Sequence, residues 1–400
     1  MEKLIVKNFG PIKEAEIDLT KYVVFIGDTS TGKSVLAKLI AIFRDINQLT
    51  REKKYFKNLK DSLKNFNIDF LSFDSSIKYF SGDFEINISN LKMEISADMN
   101  IKLDNSSVEE TLKIGEKILV DFKEIEENDT ITDVDKLKIR ELKVNLLEAY
   151  DKLLNLNEEI RIINNDLTIY IPAERIIYSL LSDSISGLLA NNVALPNCYK
   201  IFASRFEIAR KDIQYKKYFD FNYSFKNSVN QIEFGGNKIN LNQASSGIQS
   251  LLPLLLVLEN ELNKKSKIPK VFVIEEPELN LFPKRQKMLI DYLITNLKKY
   301  NDIVVITTHS PYILSALDTL MLAKNTFNEH PDLKEEINAI VSEDKWIDYD
   351  DISVYEVRND GKVYSIKNEE FRSIDTNAID SVSDIISKEF DKLTELRYAH

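Results

Sequence analysis

Apolar and polar residues alternate at the start of the chain, in "KLIVKNF" and "EAEIDL", with a Gly-Pro break between the two runs. A period of two sends one face of a strand into a core and the other to water, so this pattern predicts two strands. "YVVFI" (22–26) is apolar without a gap, as expected of a strand buried on both faces of a parallel sheet. The period then changes. In "KSVLAKLIAIF", Val35, Leu36, Leu39, Ile40 and Phe43 fall on one helical stripe. Short alternating segments return between 74 and 103, "FEINIS", "KMEISAD" and "NIKLD", and predict an antiparallel meander. Residues 106–165 are charged, nearly free of Gly and Pro, and read as a helical hairpin arm. "TIYIPAER" (168–175) is a strand that stops at Pro172. Residues 176–228 read as mainly helical, up to a strand-like pair at 231–241. From there the order is regular: helix 246–264, strand 270–275, helix 283–299, strand 302–307 and helix 311–323. Two short strands, "ISVYEV" and "KVYSI", and a helix near 376–395 follow. Helix–strand alternation of this kind predicts an α/β fold on a doubly wound, mainly parallel sheet. The expected division is 1–105, an N-terminal lobe with the antiparallel β meander; 106–165, a helical insertion arm; 166–230, a strand plus helical subdomain; and 231–400, a C-terminal lobe.

Composition narrows the class. The chain has 400 residues, 44% hydrophobic and 29% charged, as in soluble globular proteins. Its one cysteine, Cys198, cannot form an internal disulfide, and "MEKLIVKNFGPIKEAEIDL" carries no signal-peptide pattern. The greasiest run, Leu251 to Leu258, is interrupted by Pro253 and is too short to span a bilayer. These features lead to the expectation of a cytoplasmic protein with no membrane partner. The net charge of −11 gives an average field that repels nucleic acid. One basic stretch with interleaved aromatics, "REKKYFKNLKDSLKNF" (51–66), reads either as the solvated face of a helix or as a DNA-binding patch.

Three stretches carry chemistry. "FIGDTSTGKS" (25–34) has the spacing G-x-x-x-x-G-K-S between a buried strand and a helix. In Gly27-Asp28-Thr29-Ser30-Thr31-Gly32 the glycines let successive N–H groups face a polyphosphate, at the positive end of the following helix. Lys33 reaches the β- and γ-phosphates, and Ser34 offers a hydroxyl to Mg²⁺. "KVFVIEEPELNLFPKRQ" (270–286) ends a buried strand in two carboxylates, a costly placement without a task. Glu275 is the candidate metal ligand and Glu276 the candidate group that orients or deprotonates an attacking water. Glu278 reads equally as a cap or as part of the site. In "DIVVITTHSPYIL" (302–314), His309 at a strand end either senses a γ-phosphate or caps and packs. A fourth stretch, "ASSGIQSLLPLLL" (244–256), opens a very apolar helix with Ser245-Ser246-Gly247 and places Gln249 in its first turn; serine is a good helix cap.

"GDTSTGKS", "SSGIQS", "VFVIEEPE" and "TTHS" occur in the order found in ABC-type ATPases, and the chain resembles the SMC, RecF and OLD branch of that class. "KLIVKNFGPIKEAEIDL", "KLIAIFRD" and "YIPAER" look like its stand-alone bacterial members, commonly described as AAA ATPases. The resemblance implies an ABC-type P-loop ATPase head with a mainly parallel sheet, an N-terminal antiparallel β subdomain and helical insertions. It implies ATP and Mg²⁺ as ligands, and a homodimer or higher even oligomer. Ser245, Ser246, Gly247 and Gln249 would then complete the nucleotide site of the opposite subunit. Arg175 is a candidate phosphate-sensing arginine. By resemblance, such proteins serve in bacterial antiphage defence with a separate effector, a nuclease or toxin. A RecF-like DNA-repair ATPase and a non-hydrolysing nucleotide-gated scaffold are the alternatives. The chain departs from the pattern at Ile248, at Glu275 where aspartate is commoner, and at Asn280 where the branch often has histidine. No glutamine-loop residue can be placed.

Overall fold

The computed structural model describes residues 2–44, 55–82, 84–97, 168–181, 195–264, 270–299, 302–375 and 377–398. The chain divides into two compact units, residues 1–96 with 167–400, and residues 97–166. Apart from Ala97, every described residue belongs to the first. The 106–165 arm, the strand-like "NIKLD" and the first residues of the basic stretch lie outside the described residues.

The opening alternation forms a hairpin, β1 (Glu2–Phe9) and β2 (Ile12–Asp18), with Leu4, Val6, Phe9, Ile12, Ala15 and Ile17 turned into the core. Strand β3 (Tyr22–Ile26) is buried along its whole length. Helix α1 (Lys33–Arg44) follows, then α2 (Tyr55–Asn65) and the strands β4 (Ser76–Ser81), β5 (Phe84–Ser89) and β6 (Lys92–Ala97). These strands add to the hairpin in the order β2-β1-β4-β5-β6. The apolar stripe expected of α1 understates its burial. Only Ser34 and Val35 are partly exposed, because the helix shares one core with this antiparallel sheet and with Val23, Phe25, Val273 and Val305 of the central sheet. Its charged end is also buried: the Arg44 guanidinium donates to the Glu2 carboxylate, which also accepts from Tyr79.

Strand β7 (Thr168–Ile171) ends at Pro172, and a 3-10 turn (Ala173–Arg175) leads into α3 (Ile176–Leu180). After α4 (Asn197–Asp212) the chain forms β8 (Tyr215–Tyr218), β9 (Phe221–Lys226), β10 (Val229–Phe234) and β11 (Asn237–Asn240), a second antiparallel sheet. The expectation that 176–228 is mainly helical fails from Tyr215 onward. Phe221 and Tyr223 alternate with polar neighbours, and Asn227-Ser228, both at positive φ (51° and 64°), make a two-residue hairpin turn between Lys226 and Val229. The turn contains no glycine, which hid it from the sequence pattern.

The rest of the chain completes the central sheet. In order come α5 (Ser246–Asn263), β12 (Val271–Glu275), α6 (Pro283–Lys298), β13 (Ile303–Thr308), α7 (Pro311–Glu329) and α8 (Lys334–Ile340). Then follow β14 (Ile352–Val357), β15 (Val363–Ser365), the short pair β16 (Lys367–Asn368) and β17 (Ser373–Ile374), and α9 (Asn377–Tyr398). The sheet order is β15-β14-β3-β13-β12-β7, with all neighbours parallel except β15. The fold is thus α/β, with a mainly parallel sheet and an antiparallel β subdomain, as expected. Helix α5 is buried from Gln249 to Leu258, which accounts for its greasy sequence. Pro253 lies inside it and has no N–H to give the Gln249 carbonyl; Ser179 Oγ donates to that carbonyl instead, at 2.6 Å. Among the described residues no helix is long and apolar enough to cross a membrane.

The Ser228 turn gives a direct check of this packing. A non-glycine residue in the left-handed region costs about 1–2 kcal/mol, partly offset by the lower unfolded-state entropy of serine relative to glycine. Ser228→Gly should therefore be neutral or stabilising in urea unfolding, whereas the β-branched Ser228→Val should lower the midpoint.

Candidate functional site

Strand β3 runs into the loop 27–32 and α1. Both glycines of the loop are there for steric reasons. Gly27 (φ 151°) would place a Cβ 2.2 Å from the Val357 carbonyl oxygen, and Gly32 (φ 108°) would place one 2.5 Å from Ile12. Asp28, Thr29 and Ser30 are exposed, with Ser30 at φ 65°. Thr31 Oγ1 donates to the Asp28 carbonyl at 3.0 Å, and the Asp28 carboxylate accepts from Asn359 at 3.0 Å. The Lys33 ammonium is folded into the loop, donating to the carbonyls of Gly27 (2.8 Å) and Asp28 (2.7 Å). Burial lowers its pKa, opposed by the charges of Glu276, Glu278, Asp28 and Glu275.

The carboxylates stand one strand beyond β13. Glu275 ends β12, opposite Thr307, and is 3% exposed. Burial raises its pKa, opposed by the Lys38 ammonium and by the hydroxyls of Tyr170 and Ser34. Among the described residues its Oε1 has no hydrogen-bond partner. An orphaned carboxylate oxygen beside a serine hydroxyl is a hard-oxygen donor pair, which suits Mg²⁺ completed by water and phosphate oxygens. The residues present fit that ion.

Glu276 leaves the sheet with φ 41°, a conformation that costs a non-glycine residue about 1–3 kcal/mol. Its N–H is held by the Thr307 carbonyl at 2.8 Å, and its carboxylate lies 3.1 Å from His309 Nε2. His309 Nδ1 lies 3.4 Å from Lys33 Nζ. An ammonium only donates, so Nδ1 is the acceptor and the neutral imidazole carries its proton on Nε2, donating to Glu276. Lys33, His309 and Glu276 thus form one line of contacts across β3, β13 and β12. Glu278 is set apart from it. Its Oε1 accepts from Thr308 Oγ1 (2.6 Å) and from the His309 N–H (2.8 Å), so it fixes the end of β13 in the manner of a cap. Burial raises its pKa, with these two donors opposing.

Two expected roles need correction. Arg175 is not placed to touch a phosphate. It is fully buried, and its guanidinium donates to five backbone carbonyls, those of Ser250, Pro172, Glu275, Glu276 and Pro277. Burial lowers its pKa to about 10, which leaves it charged at neutral pH. Gln249 is 6% exposed and turned inward, its Nε2 donating to the carbonyls of Leu241 (3.3 Å) and Asn242 (2.9 Å). It braces the turn before α5 and is not presented to a neighbouring chain. Ser245 and Ser246 are exposed at the start of α5, Ser245 as its N-cap. Gly247 packs where a Cβ would lie 2.9 Å from the Asn280 carbonyl oxygen. Asn280, the departure from the histidine of the resembled branch, donates from Nδ2 to Ser250 Oγ at 2.8 Å. Sequence reasoning missed Lys38 and Tyr170 beside Glu275. A lysine amid the apolar residues of α1 was the available signal.

A model of the AAA ATPase domain family matches residues 1–314. The chain belongs to this family. No curated protein matches the chain in sequence. Among solved structures, the AAA ATPase chain is similar to the Smc head domain of Pyrococcus furiosus bound to the C-terminal domain of ScpA, at 12% identity and TM-score 0.36, covering 99% of this chain and 100% of that one. The SMC head domain of Thermotoga maritima is 13% identical at TM-score 0.35, covering 78% and 90%. An SmcHead bound to the C-winged helix domain of ScpA is 12% identical at TM-score 0.40, covering 92% and 98%.

Two outcomes are expected of this ATPase domain. Nitrogen-15 NMR of neutral His309 should report Nδ1 as the bare nitrogen and Nε2 as the protonated one; the reverse tautomer would contradict the line of contacts. The second concerns Glu275. Its raised pKa means that the fold disfavours the ionised form, so its contribution to stability is best in acid and falls as pH rises past the ordinary carboxylate value. Glu275→Gln should thus raise Tm in thermal melts, by more at neutral pH than in acid.

Proposed function

We propose that this protein is an ABC-type ATPase of the SMC, RecF and OLD branch that binds ATP with Mg²⁺, hydrolyses it, and works as a nucleotide-gated dimeric switch. The observation that carries the reading is the line Lys33–His309–Glu276, which sets the phosphate loop and a strand-end carboxylate on either side of one histidine. The polyphosphate enters the loop of Gly27, Asp28, Thr29, Ser30, Thr31 and Gly32. Lys33 gives up its carbonyl acceptors for the β- and γ-phosphate oxygens. Ser34 and Glu275 would hold Mg²⁺, which supplies charge neutralisation on the phosphate oxygens when bound. Glu276 orients a water in line with the γ-phosphate. As the water oxygen bonds phosphorus, the bond to the ADP oxygen breaks and Glu276 accepts the proton. His309, donating from Nε2, fixes the Glu276 carboxylate. The chain's contribution is positioning and electrostatics, as phosphoryl transfer requires.

The exposed Ser245 and Ser246, with the N–H of Gly247, form a helix start suited to an anion. In this reading they meet the γ-phosphate held by a second copy, so the homodimer closes over two nucleotides. Differential affinity for the closed form is what ATP contributes to the switch. Control of a separate effector, a nuclease or toxin of antiphage defence, is the role this reading favours, on the strength of the motif resemblance.

Steady-state phosphate release tests the chemistry. Glu276→Gln should lower kcat by about 100-fold or more, the usual contribution of a general base, while a fluorescent ATP analogue still binds. Lys33→Ala should lose the binding itself. Undiminished turnover in Glu276→Gln would remove Glu276 from its role.

A further inference from the structure

The proposed site has two halves in one chain: the carboxylates that act on the chain's own nucleotide, and the helix start offered to a neighbour's. We infer that Arg175 is the positioning residue that joins them, holding the start of α5 and the loop after β12 as one body. This rests on the ATPase reading only for its catalytic consequence, since the joint itself is in the fold.

Three segments meet at the guanidinium. Nε donates to Ser250 O of α5 at 2.8 Å. Nη1 donates to Pro172 O at the end of β7 (3.1 Å) and to Glu275 O (2.8 Å). Nη2 donates to Glu276 O (2.8 Å) and Pro277 O (3.2 Å). A planar fork of fixed N–H directions can address three segments at once, which a lysine ammonium on a flexible stem cannot do. Four of these bonds are buried and the one to Glu276 is part-buried, so losing the fork takes a donor from several buried acceptors at once.

The joint is built on both sides. Pro253 leaves the Gln249 carbonyl without its helical partner, and Ser179, on the helix that Arg175 introduces, takes that carbonyl at 2.6 Å. From the other side, Asn280 donates to Ser250 Oγ at 2.8 Å, and the Gly247 backbone lies against the Asn280 carbonyl. The left-handed Glu276 is pinned by its carbonyl to Arg175 and by its N–H to Thr307, which keeps the carboxylate on His309. A shift of α5 is therefore transmitted to Glu276, and a shift of Glu276 to Ser245 and Ser246. Lys33 of the phosphate loop meets this assembly through His309.

The test uses the full-length protein with Arg175→Lys and Ser179→Ala, read by amide hydrogen exchange and by ATP kinetics. Exchange should rise in residues 245–250 and 275–280 together in either variant. In kinetics, Arg175→Lys should lower kcat about 10- to 100-fold, the scale of an ångström-sized misplacement, with the KM for ATP within about threefold. Ser179→Ala should shift the same quantities in the same direction, by less. A rise in exchange confined to one of the two segments overturns the joint. So does an unchanged kcat, or a change in KM alone. If Arg175→Lys does not fold, Ser179→Ala decides, since it removes one hydroxyl only. Absence of turnover in the wild-type protein would instead overturn the ATPase reading, and the exchange data would still judge the joint.

Discussion

The parallel pairing of three apolar strands is the constraint on which the rest depends. Val305 of β13 lies between Val23 of β3 and Val273 of β12, and the same register carries Ile306, Thr307 and Thr308 to the sheet edge. Because the strands are parallel, all three deliver their C-terminal ends to that edge, as ligand-binding α/β sheets do. The loop of Gly27, the pair Glu275-Glu276, and His309 are brought together by backbone hydrogen bonds between valines and isoleucines, before any polar side chain takes part. A register slip of one residue would turn every one of these side chains to the other face.

Having gathered charged groups at a buried edge, the fold must offset the cost of burying them and hold them in place. It does so unevenly. Arg175 is fully buried yet satisfied by carbonyls on every side, so its charge is tolerated. Glu278 is stabilised by two donors on one oxygen, and its other oxygen has none among the described residues. Glu275 keeps an unpartnered oxygen and has Lys38 as the main favourable charge. Among the described residues, then, Arg175 has its donors satisfied, whereas Glu275 and Glu278 each keep an unpartnered oxygen and Glu276 is held at positive φ, the incompleteness and strain that functional sites commonly carry.

How much of this was legible in the sequence depended on whether the signal was local. The phosphate loop could be read because glycine spacing and a flanking apolar run are local facts. β3, β12 and β13 could be read because a strand buried on both faces is apolar without interruption. The β9–β10 hairpin was misread, since its turn uses Asn and Ser at positive φ where glycine would have announced it. Arg175 and Gln249 were given outward roles because motif position says nothing about direction. Arg175 is claimed by carbonyls far away in sequence, and Gln249 by the turn just before its own helix. Lys38 and Tyr170 meet Glu275 only through packing, so no spacing rule points to them. Pro253 read as a break in a hydrophobic run, whereas in three dimensions it frees a carbonyl that Ser179 uses.

The central claim is that Ser245 and Ser246 complete a neighbouring chain's nucleotide site, so that ATP governs assembly. The most direct measurement is the native mass of full-length Glu276→Gln protein with and without Mg-ATP. The account predicts a shift to a dimer or higher even assembly carrying one nucleotide per chain when Mg-ATP is present. A monomer with ATP bound, unchanged in mass apart from the nucleotide, would contradict it, and the serines would then cap α5 and do nothing more.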